Sequence, residues 1–195
     1  YHAQPAGPGL PRADPSAAAM IVTREHRARL TPVKQPTYDE ISALPSYAPQ
    51  SIPVAFEDLN GHLNIRHYLG IASEGLDESL VEVGIPKDWR NTGRAVFSAE
   101  HHLTYFHELR TGDRVSVRVR MIGRSDKAIH VLVYLVDEGR ERVAYLMEEI
   151  FLCIDMEQRR TTPWSDEVKE KVDARVAEHR DLPWEPQLSG SMKVR

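Results

Sequence analysis

The stretch FEDLNGHLNIRHYLGIASEG, Phe56–Gly75, decides the fold. It opens apolar, then crosses Asp58, Asn60, Gly61, His62 and Asn64. It closes with Ile65, Tyr68, Leu69, Ala72 and Leu76 at three- and four-residue spacing, which is one face of a helix. Leu80 and Val83 extend that face, and Gly84 and Pro86 end it, so the helix reads as Ile65 to Val83. A short strand, SIPVAF, precedes the polar run. The polar groups therefore stand where a strand hands over to a helix. The first turn of a helix has N–H groups without intrahelical partners, and the dipole there favours negative charge. Such a junction offers a carboxylate and free donors within one short loop.

Four further runs read as strands. Arg94 to Leu109 is the first, and RVSVRVRMIG the second, with Val115, Val117, Val119 and Met121 on one face and Ser116, Arg118 and Arg120 on the other. That alternation predicts a half-buried strand. AIHVLVYLVDE is apolar on both faces and reads as central; RVAYLMEEIFLCID is long and β-rich. The links RTGDR, GRSDK and DEGRER have hairpin length, so successive strands are expected to pair antiparallel. A second helix is expected from Ser165, an N-cap, to about His179, with Val168, Val172 and Val176 on one face. One long central helix wrapped by an antiparallel sheet, plus the second helix, is an α+β arrangement. One helix covers one sheet face, which leaves the other face for a second copy of the chain.

The chain has 195 residues, 13 prolines and a formal net charge of -4. Nine of the prolines lie at or before Pro53. Residues 1–19 read as a disordered or expression-derived tail, with Met20 as a native start. Residues 20–50 read as an arm, 51–162 as the folded domain, and 163–195 as the second helix and a tail. The net charge gives no reason to expect nucleic acid. The apolar runs are too short to span a bilayer, so no membrane is expected. With one cysteine, Cys153, no disulfide within the chain is expected and the reading is cytoplasmic.

The pattern Asp58-Leu59-Asn60-Gly61-His62-Leu63-Asn64, followed by Tyr68-Leu69 in a helix, resembles the hotdog-fold acyl-CoA thioesterases, in the 4-hydroxybenzoyl-CoA thioesterase-like branch. YFHELRTGDRVSVRVRMIGRSDKAIHV is similar to that branch's second to fourth strands, and EEIFLCIDMEQRRTTPW to its last strand and the basic segment after it. The Asp-Leu-Asn-Gly-His version is most similar to members that hydrolyse betainyl-CoA. The resemblance covers about residues 50–165. It implies a hotdog fold, acyl-CoA as substrate, a homodimer or homotetramer, and no cofactor or metal.

Thioester hydrolysis needs a group that activates water or attacks the carbonyl, and donors for the developing oxyanion. Asp58 stands three residues before Gly61, as the catalytic Asp does in the resembling family, which implies a general base or nucleophile. Its competing reading is a capping Asp in a turn. The N–H groups near Asn64, Ile65 and Arg66 are the expected oxyanion donors. Gly61 lets the backbone turn or approach a ligand. His62 is expected to hold Asp58, the loop or substrate. Asn60 orients water or simply turns the chain, and Asn64 is equally a helix N-cap. Glu74, ten residues into the helix, is the alternative catalytic carboxylate, because a second hotdog branch carries its own there. Arg124 and Lys127, in the turn Gly123–Lys127, are expected to meet the phosphates of coenzyme A. Two rival functions use the same fold: a hydratase or dehydratase acting on acyl thioesters, and a non-catalytic acyl-CoA binding protein. His101 and His107 sit about 20 Å apart at strand rise, so one strand does not assemble a metal site.

Overall fold

The computed structural model describes residues 35–88 and 92–194. The expected tail over 1–19, and the arm as far as residue 34, lie outside the described residues. In chain order the elements are α1 (Tyr38–Ser42), β1 (Tyr47–Ser51), a 3-10 turn (Val54–Phe56), α2 (Ile65–Glu82), β2 (Arg94–Tyr105), β3 (Arg114–Arg124), β4 (Ala128–Asp137), β5 (Arg142–Asp155), β6 (Arg160–Thr161) and α3 (Asp166–Arg180). The sheet order is β1-β3-β4-β5-β2, all antiparallel, and β6 pairs with the end of β5. The two long helices are those expected. Asn64 caps α2 by accepting the Arg66 N–H, and Ser165 caps α3 by accepting the Val168 N–H.

α2 lies across one sheet face. Tyr68, Ile71, Ala72, Leu76 and Leu80 join Val115, Val117, Val119, Met121, Val131, Val133, Met147 and Phe151 in one core. Gly75 sits at the closest approach. A Cβ there would stand 2.3 Å from the Val117 Cβ, so only glycine lets the helix this near the strand. Glu74, Glu78 and Glu82 form a row along α2 at helical spacing. Glu78 accepts the Ala48 N–H at 2.7 Å, Glu82 accepts the Tyr47 hydroxyl at 2.9 Å, and Glu74 accepts the Gln50 amide at 3.2 Å. The row ties β1 to the helix.

Three expectations need correction. The strand before the polar run is Tyr47–Ser51, not Ser51–Phe56. Pro53 has no N–H for a ladder, and Val54–Phe56 turns instead. β2 and β3 do not form a hairpin: β2 pairs with β5 along its length and lies at the far edge. Residues 106–113 cross the end of the sheet, where Phe106 and His107 donate to Ala144 O and Leu109 O accepts the Leu63 N–H at 2.7 Å. The crossover thus becomes a floor for the polar loop. Finally, Ser116, Arg118 and Arg120 are buried rather than half-exposed. The chain covers this outer face itself. Ile41, Leu44 and Trp184 pack with Leu132, Tyr134, Val136, Val143 and Leu146. Arg120 lies 4.1 Å over the Trp184 ring and donates to Trp184 O and His179 O, both at 2.9 Å. The outer face therefore does not call for a second copy.

β1 pairs with β3 only from Arg114 to Val117. α3 lies along the rest of that edge, where the His179 Nδ1 accepts the Met121 N–H at 2.8 Å. The other sheet edge is the long strand β2, which no other described element covers, and its Phe97, Leu103 and Tyr105 are exposed.

Candidate active site

The polar loop is built by its own backbone. Asp58 N–H donates to His62 O at 2.8 Å, and Gly61 N–H to Asp58 O at 3.1 Å. Gly61 takes φ +76, the left-handed conformation this turn requires. The Asp58 Oδ1 accepts the Asn60 N–H at 2.8 Å and the His62 N–H at 3.2 Å, and Oδ2 accepts the Asn60 amide at 3.3 Å. These donors, led by the Asn60 N–H, hold the Asp58 carboxyl below the usual aspartate range. His62 does hold Asp58, but through its backbone. Its ring turns to Glu108, with Nε2 3.1 Å from Oε2. Arg110 reaches the same Glu108 at 2.7 Å and lowers its pKa.

Of the three N–H groups expected as oxyanion donors, two are engaged. Asn64 N–H donates to Phe56 O at 2.8 Å, and Arg66 N–H to the Asn64 side chain at 3.2 Å. The Ile65 N–H has no partner among the described residues. Ile65 itself is 65% exposed. Its first helical turn is braced from behind: the His67 ring stacks on Phe56 at 3.8 Å, and the Arg66 Nε donates to the His67 Nε2 at 3.0 Å. Asp58 opens on a hollow of about 560 Å³ lined by Val54, Glu57, Asp58, Leu59, Asn60 and Asn64. Two of its lining residues, Val54 and Leu59, are exposed apolar side chains.

The structure brings Asp58, Asn60, Gly61, His62, Asn64, Ile65 and Arg66 together in this loop and turn. It does not bring in Glu74, which lies ten residues into α2, about 15 Å along the axis, tied to Gln50. Arg124 and Lys127 stand at the opposite end of the sheet, where Lys127 O accepts the Cys153 N–H. The Arg124 guanidinium fork is closed on Asp173, at 2.8 and 2.5 Å. Lys127 is exposed.

Sequence reasoning passed over Glu148 and Glu149. Both are buried in β5 and point to opposite faces. Glu148 meets His130 at 2.8 Å and the Ser189 N–H at 2.8 Å. Glu149 meets the Ser98 hydroxyl at 2.6 Å and His101 at 3.3 Å, and raises the His101 pKa. Two adjacent carboxylates inside an otherwise apolar strand were the available signal, since buried charges need partners. Among the described residues, no three His, Cys, Asp or Glu side chains converge as a metal set.

The thioesterase-like superfamily matches residues 53–172. A betainyl-CoA thioesterase of Pseudomonas aeruginosa is 32% identical over 127 residues, 65% of this chain and 80% of that protein. An L-carnitine dehydrogenase/betainyl-CoA thioesterase of Agrobacterium fabrum is 30% identical over 53% of this chain, which spans 21% of that longer protein. A Staphylococcus aureus protein solved in complex with CoA superposes with a TM-score of 0.67 at 21% identity, covering 78% of this chain and 96% of the other. The strand order, the central helix and these matches agree: the chain belongs to the thioesterase-like superfamily, as a hotdog-fold thioester hydrolase.

Proposed function

We propose that the protein hydrolyses an acyl-CoA to free acid and CoA, with Asp58 as general base or nucleophile and the Ile65 N–H polarising the thioester carbonyl. One observation carries the reading. The loop holds an ionised carboxylate at its start and leaves the first N–H of α2 unpaired at its end. The loop N–H groups hold the carboxylate ionised and in one position at neutral pH, at some cost in its strength as a base, and a helix N-terminus favours the oxyanion. Asn60 and His62 position Asp58 through their N–H groups, and Gly61 permits the turn. Asn64 and Arg66 shape the helix start. The curated relatives are named for betainyl-CoA, and that thioester heads the substrate panel.

We propose a homodimer joined through β2. Along β2, Val96 lies beside the Lys127 end of the sheet and Tyr105 beside the α2 start, where its ring meets Tyr68 at 5.3 Å. The nine steps from one to the other span about 30 Å. Antiparallel pairing of two β2 edges brings one copy's Lys127 turn toward the other copy's Asp58 loop. The exposed Phe97, Leu103 and Tyr105 support this edge as the interface. No described helix is long and apolar enough to cross a membrane. The buried free thiol of Cys153 supports a cytoplasmic setting.

The test is thiol release from betainyl-, short-chain, aromatic and long-chain acyl-CoA by wild type, Asp58→Asn and Glu74→Ala. Asn keeps an acceptor for the loop N–H groups but is neither base nor nucleophile. A loss of at least about 10²-fold in Asp58→Asn alone is expected. Full activity in Asp58→Asn would leave Asp58 as a capping residue. Loss in Glu74→Ala instead would move the chemistry onto the helix.

A further inference from the structure

Between the end of α3, the residues that follow it and β3 lies a cavity of about 280 Å³, room for a ligand of a few heavy atoms. Its walls from Val176 to Pro186 lie beyond residues 53–172, which the superfamily matches. Three buried side chains in its lining carry donors. Arg120 is 4% exposed, and its bonds to Trp184 O and His179 O leave the rest of its fork free. Arg118, two residues earlier, has Glu138 as its carboxylate; Arg120 has no ion-pair partner among the described residues. His179 is 3% exposed. Its Nδ1 accepts the Met121 N–H, so the neutral ring carries its proton on Nε2, and that N–H has no partner among the described residues. The indole N–H of Trp184, a residue 7% exposed, is likewise unpartnered. Buried donors are nearly always satisfied, so two of them in one cavity lining call for an acceptor. Ile122, Val176 and Leu182 add apolar surface, and the exposed Arg180 and Glu185 offset each other in charge.

We infer that this cavity binds a small aliphatic monocarboxylate, its carboxylate taken by the His179 and Trp184 N–H groups beside the Arg120 guanidinium and its chain laid against Ile122, Val176 and Leu182. Two neutral N–H donors and one uncompensated guanidinium match a single negative charge. A phosphate dianion would bring more charge than the lining offsets and would leave the apolar wall unused. A neutral amide of the same shape would supply an acceptor without the charge that faces Arg120. Arg120 stands on the sheet face away from α2, so this site is separate from the Asp58 loop and holds whether or not that loop hydrolyses a thioester.

The experiment titrates butyrate, butyramide and inorganic phosphate into the isotope-labelled full chain and follows its indole and backbone N–H signals by NMR. The chain has three tryptophans, and the Trp184 signal is the one missing from Trp184→Phe. Butyrate should shift that signal in wild type, with half-saturation at about 1 mM or below. Butyramide and phosphate should each bind at least about tenfold more weakly. Trp184→Phe keeps a ring under Arg120 and deletes the donor. It should weaken butyrate about tenfold, read from the backbone N–H signals of the cavity wall. Indole signals in wild type that butyrate leaves unmoved would overturn the inference, even if Trp184→Phe does not fold. Equal affinity for butyramide would overturn it too, and phosphate binding more tightly than butyrate would make this a phosphate site instead. Unchanged butyrate affinity in a folded Trp184→Phe would likewise count against it.

Discussion

Gly75→Ala places a methyl group where α2 presses on β3. The new Cβ would lie 2.3 Å from the Val117 Cβ and 2.5 and 2.7 Å from its two methyl groups. Carbon atoms prefer about 3.5–4.0 Å. The nearest clash is between two atoms fixed to the backbone, so no rotamer relieves it. Helix and strand must separate by about 1 Å. Overpacking of this kind costs about 1–3 kcal/mol, and a fixed contact belongs at the upper end. The gain in helix propensity from Gly to Ala returns about 1 kcal/mol. The net loss is about 2 kcal/mol, a fall in Tm of about 4–8 °C for a chain of this size. Gly70→Ala on the same helix is the control, because a Cβ there meets nothing within 4 Å. It should be neutral or stabilising by up to about 1 kcal/mol. Urea unfolding and thermal melts of both variants measure the difference. Displacement of α2 should also lower turnover in Gly75→Ala, since about 1 Å of misplacement can cost 10²-fold. Equal stability of the two variants would refute the close-approach argument.

His179 is buried, and burial together with the nearby Arg175 and Arg120 pushes its pKa down to about 4. The folded state keeps it neutral while the unfolded state takes up a proton below about pH 6.5. Its contribution is therefore full above that pH and lost as pH falls toward 4, on the order of 3 kcal/mol in all. Urea midpoints between pH 7 and 4 should fall less steeply in His179→Gln than in wild type; parallel slopes would contradict the assignment. Leu103→Glu puts a charge on the free β2 edge. Light scattering should then report a monomer with turnover lost, and a fully active monomer would remove the dimer from the mechanism.

Much of the fold was readable because its elements advertise themselves locally. α2 shows its period from Ile65 to Leu80, ends at Gly84, and starts at an Asn that caps it. β4 is apolar on both faces and is buried on both. What failed was non-local. The link RTGDR looks like a hairpin turn, but β2 prefers the long partner β5, and the turn belongs to a crossover whose Leu109 is held by the polar loop. Ser116, Arg118 and Arg120 look exposed because the residues that bury them come from α1 and from Trp184. At the site, residue types identified the loop, but only the hydrogen bonds distinguish the three donors. Two are consumed by Phe56 O and Asn64. Likewise, nothing in GRSDK announces that Asp173 occupies Arg124.

If the first N–H of α2 receives the oxyanion, Ile65→Pro removes that donor with little other change. Proline is well tolerated at the first helical position, and Asn64, at φ -63 and ψ 136, already has the extended backbone that precedes proline. The substitution deletes one N–H. Turnover of the best acyl-CoA should fall about 10²–10³-fold in kcat, with Tm and CoA affinity close to wild type. A folded Ile65→Pro variant turning over at the wild-type rate would contradict the account.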